Sequence, residues 1–239
     1  MQSELFSQAN LEISDGQRFA RQNPQLLRVS LGADVLAVKG SMVAYQGQIT
    51  FNHEGAGSMG RMLKKMVSGD DQPLMRVSGQ GEVFFANEAG VVYLVELGGD
   101  GLSVNGRNLL AFDAALSWDI NRVQGAGMLS GGLFNTTLSG EGTVALCTVG
   151  QPVVLDCSQQ PTYVDLQSAV AWSANLVPSV TNSMNMKSML RGGSGEAMQY
   201  AFHGPGFVVV QPSEWKNDPN ASKGHSGGSA SDVIGGLFS

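Results

Sequence analysis

Ser78-Gly79-Gln80-Gly81-Glu82-Val83 returns as Ser139-Gly140-Glu141-Gly142-Thr143-Val144, and again as His203-Gly204-Pro205-Gly206-Phe207-Val208, with the first glycines 61 and then 64 residues apart. A second phrase precedes each copy. Ala37-Val38-Lys39-Gly40-Ser41-Met42-Val43 aligns without gaps to Ala111-Phe112-Asp113-Ala114-Ala115-Leu116-Ser117 and to Ala171-Trp172-Ser173-Ala174-Asn175-Leu176-Val177. Two phrases in fixed order, three times over, predict one domain built from three similar units. The units run over about residues 26–97, 98–157 and 158–212 of a single domain spanning 1–215.

Each glycine phrase opens onto a strand-like run. Val83-Phe84-Phe85-Ala86 leads through Asn87-Glu88-Ala89-Gly90 to Val91-Val92-Tyr93-Leu94-Val95-Glu96-Leu97. Val144-Ala145-Leu146-Cys147 leads through Gly150-Gln151-Pro152 to Val153-Val154-Leu155-Asp156-Cys157. β-Branched content and turn residues predict two hairpins. The third copy has Phe207-Val208-Val209-Val210-Gln211 and then Pro212-Ser213, with no return strand after it. Gln25-Leu26-Leu27-Arg28-Val29-Ser30-Leu31 is the candidate for the missing piece, and its pairing with the third copy would close a threefold ring and remove open edges. The expected fold is therefore all-β: a pseudo-threefold sandwich or barrel, similar to a double-stranded β-helix, with short helical insertions.

The glycines Gly79, Gly81, Gly140, Gly142, Gly204 and Gly206 are read as structural, at a bulge, sharp bend or close backbone approach. A phosphate-cradling loop would need a helix directly after them, and a strand follows each time.

Two insertions carry helical spacing. Met59, Met62, Leu63, Met66 and Val67 form one stripe, with Arg61, Lys64 and Lys65 on the other face. Met184, Met186, Met189 and Leu190 form a looser echo. The stripes pack on the protein's own sheet, or else Met59, Arg61, Met62, Lys64, Lys65 and Met66 form an adaptable partner or membrane surface. Residues 216–239 read as a flexible Gly/Ser-rich tail ending in Asp232-Val233-Ile234-Gly235-Gly236-Leu237-Phe238, a docking peptide or a disordered end.

Composition narrows the function classes. With 42% hydrophobic residues, 32 glycines and 14% charged residues, the chain is less charged than the roughly 25% usual for soluble domains. The net charge of −6 argues against nucleic acid, whose binding needs a basic stripe. The apolar runs are too short for a transmembrane segment and the N-terminus has no signal-peptide pattern, so a cytoplasmic location is expected, with a peripheral membrane role as the variant. The two cysteines, Cys147 and Cys157, flank the predicted Gly150 turn; hairpin register sets Cys147 near Val154 and Cys157 near Val144, so two buried thiols are expected.

Chemistry is sparse. The three histidines, His53, His203 and His225, have no metal-ligand spacing, and there is no Cys-x-x-Cys or Gly-x-Ser-x-Gly. Only His53 with Glu54 and His203 offers a metal set of the cupin kind. No catalytic residue, cofactor or metal is expected.

Together, the Ser78 and Ser139 glycine phrases and Leu63-Lys64-Lys65-Met66-Val67-Ser68-Gly69 resemble the family of altered inheritance of mitochondria protein 24 over roughly residues 10–212. That resemblance implies a fold similar to the tryptophan RNA-binding attenuation protein and an all-β domain of pseudo-threefold symmetry. It also implies a link, in eukaryotic members, to mitochondrial inner-membrane organisation. It carries no catalytic residues. RNA binding does not transfer, because the array of Lys and aromatic residues is missing. The expected function is a non-enzymatic interaction or scaffold protein whose partners are proteins, a second copy of itself among them, or a membrane surface. The alternatives are a small-molecule-binding β-barrel and a cupin-like metalloenzyme.

Overall fold

A computed structural model describes residues 2–12, 15–54, 74–122, 134–182 and 198–213. The predicted helical stripes at 58–67 and 184–191, and the tail at 216–239, lie outside the described residues. Within them the chain is all-β, with no α-helix and only single-turn 3-10 helices. The strands are β1 (Phe19–Asn23), β2 (Leu26–Leu31), β3 (Val35–Val38), β4 (Met42–His53) and β5 (Leu74–Phe85); β6 (Val91–Asn105), β7 (Leu109–Asp113), β8 (Ser117–Arg122), β9 (Phe134–Thr148) and β10 (Val153–Asp156); and β11 (Thr162–Asp165), β12 (Ala169–Ser173), β13 (Ser179–Asn182), β14 (Met198–Phe202) and β15 (Phe207–Val210).

Twelve strands form one open antiparallel sheet in the order β1-β2-β5-β3-β7-β9-β6-β12-β15-β10, with β4 on β5 and β8 on β9. A second sheet runs β11-β14-β13. The sheet does not close into the expected barrel.

Long strands β5 and β9 organise the fold. Each is flanked along one edge by a single long strand and along the other by two short ones. β5 carries β4 on one edge, while β2 and β3 share the other. β9 carries β6 on one edge, while β7 and β8 share the other. In the third stretch the same path is broken into β14 and β15. There β10 and β12 flank β15, and β11 and β13 flank β14.

The glycine phrases sit where these paths bend. Gly81 and Gly142 lie inside β5 and β9, and only Gly206 stands before its strand begins, at β15. All six phrase glycines have positive φ, from 112° at Gly204 to 154° at Gly142. Gly81 shows why. Its φ is 138°, and a Cβ there would run into the carbonyl oxygen of Gln46 on β4. An L side chain meets both a strained backbone and an immovable neighbour. In β6 the register slips between Gly98 and Gly101, a bulge opposite the bend in β9.

Three expectations about pairing are corrected. Residues 83–97 are not a hairpin: Val83 pairs with Val29 and Tyr45, whereas Val95 pairs with Val144. Residues 144–157 are not a hairpin either, since β10 pairs with β15. Cys147 therefore lies opposite Val92, and both thiols are free and buried. The intervening turns carry the chain onward to a new partner instead of folding it back. Strand β2 does not lie beside β15. It pairs with β1 and β5, near the far end of the sheet path, and β15 already has two neighbours. The return strand sought after Gln211 precedes it, as β10.

Three apolar clusters form the interior. The first gathers Leu27, Val29, Val77, Val83 and Phe85; the second, Leu36, Phe112, Leu138 and Val144; the third, Trp172, Tyr200, Phe202 and Val208. In the third, the Trp172 ring centroid lies 5.6 Å from Tyr200 and 5.5 Å from Phe202, within aromatic contact range. A buried polar link ties Gln211, just after β15, to β9: Asn108 Nδ2 donates to the Cys147 carbonyl at 2.8 Å and to Gln211 Oε1 at 3.0 Å, and the Val149 N–H donates to that same Oε1 at 3.1 Å. Such groups are costly to bury unpaired, so the link fixes where β15 ends.

Candidate functional site

The shorter edge strand β10 exposes Val153 and Val154, but the longest run of exposed residues in the large sheet is the first half of β4. A turn closed by Ser41, whose hydroxyl donates to the Val38 carbonyl at 2.7 Å, launches the strand. Alternation then sends Ile49 and Phe51 toward the first cluster. Before them, Met42 is 36% exposed, Val43 60% and Tyr45 50%. The Tyr45 ring meets Phe51 edge-on at 5.4 Å. Among the described residues β4 pairs with β5 alone, leaving its other edge open.

Register shows why this exposure is unusual. Tyr45 pairs with Val83, Phe112 with Val144 and Trp172 with Val208, the valine two places after the second glycine in each phrase. Val43-Ala44-Tyr45-Gln46 thus occupies the place of Leu110-Ala111-Phe112-Asp113 and of Val170-Ala171-Trp172-Ser173. The residue matching Ala111 and Ala171 is Ala44, not Ala37; Ala37 is instead the direct cross-strand partner of Ala111. Leu110, Ala111, Phe112, Val170 and Ala171 are fully buried and Trp172 nearly so, while their counterparts on β4 face solvent.

The last residue of each quartet serves the bend. Asp113 Oδ2 accepts from the Thr143 N–H at 2.8 Å, and Ser173 Oγ accepts from the Phe207 N–H at 3.0 Å. Both satisfy the amide that follows the second glycine. Asp113 is also ion-paired with Arg18. In the first stretch Gln46 turns instead to Glu12 at 3.2 Å, and Glu82 is taken by Arg28 and by the Ser30 hydroxyl at 2.8 Å.

A second open edge belongs to β11, which pairs only with β14 among the described residues. Val164 is buried, but Tyr163 is 57% exposed, its ring edge-on to His203 at 6.4 Å.

The proposed metal set is not assembled. Glu54 is held by Arg76, whose Nε and Nη2 donate to it at 2.9 and 3.0 Å, while Nη1 donates to Asp34 at 3.2 Å. The bonds to Glu54 hold the Arg76 pKa above its usual value. No three His, Cys, Asp or Glu groups converge among the described residues. Met59, Arg61, Met62, Lys64, Lys65 and Met66 lie outside those residues. Val43, Tyr45 and Tyr163 escaped the sequence reading, although the Val-Ala-Tyr-Gln, Leu-Ala-Phe-Asp and Val-Ala-Trp-Ser quartets would have shown the better alignment.

The fold and its edges define an all-β protein with a large open antiparallel sheet. No helix among the described residues is long and apolar enough to cross a membrane. The chain belongs to the mitochondrial biogenesis AIM24 family, whose profile matches residues 18–213. It is 27% identical over 193 residues to an uncharacterized protein of Streptococcus pyogenes serotype M6, covering 75% of this chain and 77% of that one. Its fold is similar to the X-ray crystal structure of a Streptococcus pyogenes protein, with a TM-score of 0.66 at 24% identity, covering 82% of this chain and 92% of the other.

Proposed function

We propose that this chain is a non-enzymatic interaction protein, a rigid β body that offers an apolar strand edge to protein partners. One observation carries the reading. Val43 and Tyr45 are exposed on an open edge at positions whose counterparts, Leu110 with Phe112 and Val170 with Trp172, are core. Exposed apolar groups on an unpaired edge attract other chains, and a protein that keeps them has a use for them. The reading includes three similar units, centred on β5, β9 and the β14–β15 pair, of which the first alone leaves its aromatic outside. It also carries a cytoplasmic location, which the two free thiols support.

A photo-crosslinking amino acid at Val43, introduced in the protein's native cells, tests this. Covalent adducts should form from Val43 and not from the exposed loop residue Gln159. Equal yields at both positions, or none at Val43, would contradict the reading.

A further inference from the structure

The β4 edge has a partner of defined shape. We infer that it takes the β11 edge of a second copy of this chain, antiparallel, with Ala44 opposite Val164, Tyr45 opposite Tyr163 and Gln46 opposite Thr162. This rests on β4 being an interaction edge and adds the identity of the partner.

The same joint is already made twice inside each molecule. In the first, β3 meets β7 with Val35 opposite Asp113, Leu36 opposite Phe112 and Ala37 opposite Ala111. In the second, β6 meets β12 with Leu102 opposite Ser173, Ser103 opposite Trp172 and Val104 opposite Ala171. The strands that enter these joints are matched by their own partners on β5, β9 and β14. Val35 lies opposite Val77, Leu102 opposite Leu138 and Thr162 opposite Phe202, each the second residue before the first phrase glycine. The receiving strands match as well, with Ala44 opposite Phe84, Ala111 opposite Ala145 and Ala171 opposite Val209. Carrying the register of the two joints to the remaining strands leaves no freedom: Thr162, Tyr163 and Val164 must face Gln46, Tyr45 and Ala44.

Within one molecule these two strands do not pair. β4 is bound to β5 and β11 to β14, and no described residue lies between them in a ladder. Among the described residues, each chain therefore holds one unused half of each kind. The receiving edge is also unguarded: the 12 residues of β4 include no Asp, Glu, Lys, Arg or Pro, the residues that natural edges use to repel strands. Pairing would enclose Val43, Tyr45 and Tyr163 as the internal joints enclose Leu110 and Phe112. The two halves differ, so the contact is head-to-tail and propagates from copy to copy until a ring closes.

Single-cysteine exchange tests the register. One preparation carries Tyr45→Cys and another Tyr163→Cys; both sites are exposed, and the native Cys147 and Cys157 are 4% and 1% exposed. Mixed under mild oxidation, the two should yield a disulfide-linked pair, while neither alone does so. Replacing Tyr163→Cys by Asp165→Cys, two residues out of register, should slow linkage at least tenfold. The unmodified full chain should sediment as a species larger than a monomer, and Tyr45→Lys should return it to monomer. Self-linkage of Tyr45→Cys alone would mean β4 pairs with β4 and would overturn the inference. So would an internal link within one chain carrying both cysteines, or no linkage in the mixture. Adducts from Val43 to another protein without linkage in the mixture would overturn this inference and leave the broader reading standing.

Discussion

At Gly81 the backbone of β5 turns through a conformation that an L residue resists, with the Gln46 carbonyl where a side chain would begin. Gly81→Ala should cost about 1–3 kcal/mol, read as a lower urea midpoint at unchanged slope. Gly98, with open space where a Cβ would sit, should tolerate alanine within about 0.5 kcal/mol. Cys147 gives a second test at this scale. Burial raises its thiol pKa above the usual 9.0, opposed by a backbone hydrogen bond from Asn87. A raised folded-state pKa means the folded chain holds its proton more tightly, so that contribution is complete below pH 9.0 and is lost as pH climbs through the folded value. Melting temperature should fall as pH rises above 9.0, and Cys147→Ala should flatten that slope. The glycine phrases were legible in the sequence because a positive φ leaves a residue-type mark. Their situation inside long strands was not, because the same mark serves a bend within a strand and a turn before one.

At the scale of elements, three aromatics at one register position face different fates. Trp172 is 1% exposed and Tyr45 50%. Trp172→Ala should cost about 3–5 kcal/mol, as for large core truncations. Tyr45→Ala should shift monomer stability by about 0.5 kcal/mol or less, measured in dilute protein. The existence of β2, β5, β6, β9 and β15 could be read from β-branched runs, since strand character is local. Their partners could not. Residues 87–90 and 149–152 carry turn chemistry that would serve a hairpin equally well, and the choice was made by packing: Val92 joins the first cluster, and Leu155 packs against the third. Ala37 and Ala44 show the same limit. Both precede short polar turns or bends, and only cross-strand register separates the partner of Ala111 from its counterpart.

For the whole molecule, the tripled phrase foretold an all-β protein and the resemblance foretold its family, but closure of the ring through β2 and β15 did not occur. The sheet stays open because β1 covers β2 and β10 covers β15. Among the edges left open in the described residues, those of β4 and β11 match a register that the rest of the chain already uses. Scattered acids and histidines gave no hint of this, because an interaction edge is written in strand order and burial, not in reactive side chains. We propose β4 as an edge for protein contact, completed by another copy. Native mass spectrometry of the full-length chain at micromolar concentration tests it most directly. Multiples of the single-chain mass that collapse to one chain in Tyr45→Lys are expected, and a lone single-chain mass across the concentration range would overturn the proposal.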